Sequence, residues 1–117
     1  YLKQNFKNET FQELLFKLIK RSNMEEVDIY KAANIDRKLF SKIRSDKNYR
    51  PSKKNVIALA LALKLDSKTS KNLIKRAGYI LTSGYVYDLI IRFCIENSIY
   101  DMYEVNTFLE AYGLEII

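Results

Sequence analysis

The eight residues from Val56 to Leu63 read VIALALAL, without a polar side chain among them. Their period of two suggests a strand. Alanine, however, is a strong helix former that strands avoid. As a helix, the run places Val56, Leu59 and Leu63 on one face, with Ile57 and Leu61 forming a ridge beside it. A helix that is apolar on every side belongs at the centre of a small helical core. The run is far short of the roughly 20 apolar residues that a membrane-spanning helix needs, so it predicts an interior element and no membrane contact.

The remaining punctuation also favours helices. Thr10 and Glu13 form a capping box ahead of Phe11, Leu14, Leu15, Leu18 and Ile19, which predicts a helix from about Phe11 to Arg21. Ser22 or Asn23 is then placed to cap MEEVDIYKAA, which should stop at Asn34, a residue type that tolerates the left-handed conformation. Asp36 caps RKLFSKIRS, with Leu39, Phe40 and Ile43 inward, and Ser52 caps the central helix from about Lys53 to Lys64. A fifth helix, SKNLIKRA, ends at Gly78. Beyond it, Ser83 is placed to cap GYVYDLIIRFCIEN, and Asp101 with Glu104 starts MYEVNTFLEAY, which Gly113 terminates.

At 117 residues, with three Gly, one Pro and no low-complexity run, the chain is the size of one all-α domain. It begins with Tyr1 rather than Met, which predicts a processed protein or a piece of something longer. The single cysteine, Cys94, lies in an apolar helical stretch and reads as core. One thiol makes no internal disulfide, and with no secretion signal this predicts a reducing, cytoplasmic setting.

Charge divides the chain. Residues 1–78 carry a net +11 and residues 79–117 a net −5. The stretch NIDRKLFSKIRSDKNYRPSKKN, from Asn34 to Asn55, alone holds +6. A basic region beside an acidic one predicts that the first faces a polyanion. Lys53 and Lys54 sharpen this, because cations in the first turn of a helix oppose its macrodipole at a cost of roughly 0.3 to 1 kcal/mol each. Together with the free amides after Ser52, and with Lys47 and Arg50 from the preceding loop, they make a candidate phosphate site. Tyr49 either bonds a phosphate oxygen there or packs across the edge of the core.

The segment IYKAANIDRKLFSKI, from Ile29 to Ile43, resembles the helix-turn-helix of phage-repressor-type (Cro/Xre-like) DNA-binding domains. Ile29, Ile35, Phe40 and Ile43 fall where that motif needs apolar residues, and Asn34 falls where it usually has the turn glycine. The resemblance continues through PSKKNVIALALALKLDSKTSKNLIKRAGY and covers about residues 10–79. Tyr30 departs from it, standing where the family usually has Ala. A looser resemblance, carried by NIDRKLFSKIRS, PSK and YDL, is to C-terminal modules of some bacterial macrodomain proteins, and it implies a fused regulatory or targeting module.

The closer resemblance implies a five-helix repressor-like bundle over residues 1–79, followed by a C-terminal helical hairpin over 80–117. The hairpin would pack on the bundle or serve a homodimer through residues 83–113. It also implies a cytoplasmic bacterial or phage-derived transcription regulator with double-stranded DNA as its partner. Arg37, Lys38, Ser41 and Lys42 would meet base edges, with Arg37 able to grip guanine bidentately. Arg44, Ser45, Lys47, Tyr49, Arg50, Ser52, Lys53 and Lys54 would meet phosphates. A different class remains open: an adaptor that keeps this fold and turns its basic face to an acidic or fused protein partner. RNA binding shares the electrostatics. With no His, one Cys and no Gly-rich phosphate loop, the sequence predicts no catalytic activity, cofactor or metal.

Overall fold

The computed structural model describes residues 9–117, so the first eight residues of the predicted 1–79 unit lie outside the description. Seven helices and no strand form among the described residues: α1 (Phe11–Ser22), α2 (Glu26–Ala32), α3 (Arg37–Ser45), α4 (Lys53–Ala62), α5 (Ser67–Arg76), α6 (Val86–Glu96) and α7 (Met102–Ala111). None is long and apolar enough to cross a membrane.

The run that looked like a strand is α4, and each of its residues from Val56 to Ala62 is buried. It packs against α2, α5 and α7, while α1 and α6 pack on α5 and α3 packs on α2. Alanines 58, 60 and 62 keep the central helix thin, and Ile57, Leu59 and Leu61 fill the space between its neighbours. Ile91, Cys94, Val105 and Leu109 belong to the same buried cluster, so residues beyond Tyr79 share one core with those before it.

Most helix starts follow the sequence. Thr10 and Glu13 close the capping box, Asp36 accepts from the Leu39 amide at 2.7 Å, and Ser52 accepts from Asn55 at 3.2 Å. Asp101 accepts from Glu104 at 3.2 Å. Two expected caps do not form. Asn23 takes φ 57° and closes α1, while Ser22 donates to the Ile19 carbonyl and accepts from Met24; α2 therefore starts at Glu26, behind Glu25, without a side-chain cap. Ser83 lies too far upstream, because α6 begins only after Tyr85. The fifth helix starts earlier than expected, capped by Asp66, which accepts from Thr69 at 2.8 Å.

Five of the helices, α2 and α4 to α7, end in one device: a left-handed residue whose amide and the next amide turn back to two of the last-turn carbonyls. The left-handed residues are Asn34, Lys64, Gly78, Ser98 and Gly113, with φ between 54° and 91°. In every case the following residue is apolar, namely Ile35, Leu65, Tyr79, Ile99 or Leu114, and covers the end of the helix it has just left.

Candidate nucleic-acid interface

α2 and α3 are joined by the short turn Ala33–Asp36, in which Ile35 is buried and Asp36 caps the next helix. Phe40 and Ile43 anchor α3 in the core, and Leu39, expected inward, is half-buried. Tyr30, half-buried, packs within the motif. Its ring lies against Phe40, with centroids 5.4 Å apart, and Phe16 meets the same ring edge-on. The far end of α3 is pinned by Gln12 of α1, whose amide donates to the carbonyls of Ile43 at 2.8 Å and Asp46 at 2.7 Å. These contacts satisfy last-turn acceptors and fix the attitude of α3 on the fold.

The opposite side of α3 faces solvent. Arg37, Lys38, Ser41, Lys42, Arg44 and Ser45 are all exposed. Arg37 and Lys38 make no ion pair among the described residues, and the first turn of α3 holds no acidic side chain. Lys42 lies over the Tyr49 ring, its Nζ 4.7 Å from the centroid, and Arg44 pairs with Glu26 of α2. Lys47 in the loop is exposed and likewise unpaired among the described residues. One face of α3 thus collects Arg37, Lys38, Ser41 and Lys42, while Lys47 lies beside Arg44 and Gln12.

The second group of cations is spent differently. Arg50 donates to the carbonyls of Ala77 at 3.0 Å and Gly78 at 3.1 Å, and lies over the Tyr79 ring, whose hydroxyl donates to Pro51. This closes the end of α5, and a Cβ at Gly78 would come within 2.8 Å of the guanidinium. Lys53 reaches the buried carboxylate of Asp88 on α6 at 2.9 Å; the same oxygen accepts from the Thr82 amide at 2.9 Å. Lys54 meets Glu115 at 3.3 Å. Ser52 serves its own helix as cap, and Tyr49 is half-buried beside Lys42. The candidate phosphate site at the start of α4 is therefore already met by two carboxylates from the acidic third of the chain.

Sequence reasoning missed three contributors. Asp88 left a signal, since a lone carboxylate within an apolar helix asks for a buried partner. Gln12 and Tyr79 left none, because each acts on a backbone carbonyl more than 25 residues away. No protein-family model matches the chain, and comparison with curated proteins and with solved structures gives no match.

Proposed function

We propose that α1 to α5 form a repressor-like helix-turn-helix unit with α6 and α7 as an appended hairpin, and that α3 enters the major groove of double-stranded DNA. The observation that carries this reading is the outer face of α3, where Arg37, Lys38, Ser41 and Lys42 stand exposed on a helix pinned at both ends. Arg37, at the first position, has the fork that suits guanine, and Lys38 and Ser41 lie beside it. Phosphate contact falls to Lys42, Lys47 and Ser45, and regulation of transcription would follow from occupancy of the site.

Because Arg50, Lys53 and Lys54 are engaged within the fold, fewer counterions are released than the raw charge suggests. With Lys42 and Lys47 neutralising about two phosphates, log K should fall with log salt at a slope near −2. Fluorescence anisotropy on a mixed duplex at ~50 mM salt tests this. Absence of binding, or binding indifferent to salt, would refute it, and RNA of equal length serves as competitor.

A second reading is favoured by one observation: Val86, Leu89 and Phe93 on α6 and Tyr103 and Phe108 on α7 are large apolar side chains left exposed. That surface supports an adaptor or targeting module in which the same fold docks on another protein. Charge reversal at Arg37 and Lys38 separates the two readings: loss of DNA binding supports the first, and loss of an acidic protein partner with DNA affinity unchanged supports the adaptor, which turns its basic face to that partner.

A further inference from the structure

Val86, Leu89 and Phe93 follow one another at helical spacing along α6 and are 52%, 44% and 49% exposed. Across from them stand Phe108 on α7 and Tyr112 just after it, and Phe93 meets Phe108 edge-on with centroids 5.7 Å apart. With Ile90, these side chains line an open groove of about 430 Å³, two helical turns long. Its surroundings are acidic. Glu96 lies one turn beyond Phe93 and Glu104 one turn before Phe108, and residues 79–117 hold only one cation, Arg92, whose Nε is 3.8 Å from Glu96.

We infer that this groove receives a cationic amphipathic helix from a partner protein, with apolar residues at i, i+3 or i+4, and i+7 and with Lys or Arg on their flanks. An apolar floor calls for an apolar stripe, and the carboxylates select the flanks by complementary potential. A second copy of this chain fits less well. A two-fold interface sets the same patch against itself, and here that would bring the Glu96 and Glu104 carboxylates of both copies together. The groove therefore takes a different occupant from the homodimer expected through residues 83–113. Nucleic acid has no place on it for the same reason, so the inference stands apart from the DNA reading.

The probe is an 18-residue synthetic helix of Leu and Lys, with Leu on one stripe, beside its twin carrying Glu for every Lys. The lysine peptide is expected to bind and to shift NMR resonances of Val86, Leu89, Phe93, Phe108 and Tyr112, while the glutamate twin leaves them unmoved. Phe93→Gln, a half-exposed position, should weaken binding at least about fivefold while the helical circular dichroism of the fold is retained, as loss of an anchor does. The pair Glu96→Gln and Glu104→Gln should flatten the salt dependence of binding. Equal binding of the twin, shifts confined to other surfaces, or a dimer in sedimentation that Phe93→Gln dissolves would each overturn the inference.

Discussion

Lys53 and Asp88 meet at 2.9 Å across 35 residues of sequence, joining the first turn of α4 to α6. The two partners are unequal: Asp88 is 1% exposed, whereas the Lys53 side chain keeps 31% of its surface in water. Removing the cation strands a buried carboxylate. Removing the carboxylate's charge leaves a lysine that can turn to solvent, and an amide oxygen still accepts from Thr82. Lys53→Met should therefore cost about 3 kcal/mol and Asp88→Asn about 1 kcal/mol in urea denaturation. Equal costs, or the reverse order, would show that the pair does not hold α6 in place.

Glu115 covers Lys54 from the far end of the chain. Glu115→Gln should strengthen duplex binding by roughly two- to fivefold, the range of an exposed ion pair. Glu110→Gln makes the same change in net charge, and Glu110 is exposed with no ion pair among the described residues. It should leave affinity where it was. If both variants gain equally, the effect is one of total charge alone.

Lys64 takes φ 54° at the end of α4 and is exposed. Glycine adopts that conformation without the Cβ penalty, so Lys64→Gly should stabilise the protein by about 0.5 to 1 kcal/mol. Gly78→Ala should do the opposite, because its φ is 91° and a Cβ there meets Arg50. Thermal melts of the two variants should move in opposite directions.

Burial, assisted by Glu104, pushes the Cys94 thiol from 9.0 up to about 11, and burial next to Asp88 and Glu115 pushes the Tyr87 hydroxyl from 10.0 up to about 12. Both groups are neutral when protonated and hold their protons more tightly in the folded state. Their contribution is complete below the unfolded values and is lost as pH rises, between about 9 and 11 for Cys94 and between about 10 and 12 for Tyr87. The urea midpoint should fall above pH 9, and Cys94→Ala should remove the earlier part of that fall. Thiol reagents at pH 8 should label Cys94 only after denaturation.

Local chemistry was legible where one residue type does one job. Thr10, Asp36, Ser52 and Asp101 cap the helices they precede, and Asn34, Gly78 and Gly113 end them. Lys64 and Ser98 were not legible as left-handed residues, because neither side chain favours that conformation. The readable sign was the apolar residue after each, Leu65 and Ile99, which recurs behind Asn34, Gly78 and Gly113. Asn23 misled because it closes α1 where a cap for α2 was expected. At the site, the cations could be counted from the sequence, but not their commitments. Lys53 and Lys54 find their carboxylates 35 and 61 residues away, brought there by the packing of α6 on α5 and of α7 on α4.

Since α4 is enclosed from Val56 to Ala62, the amide protons of that stretch have no local route to water. The slowest of them should exchange only when the whole molecule opens, so their protection factors should report the global unfolding free energy directly. A chain organised around such a helix gives way as a unit: whatever loosens α2, α5 or α7 is felt by the one element that all three enclose.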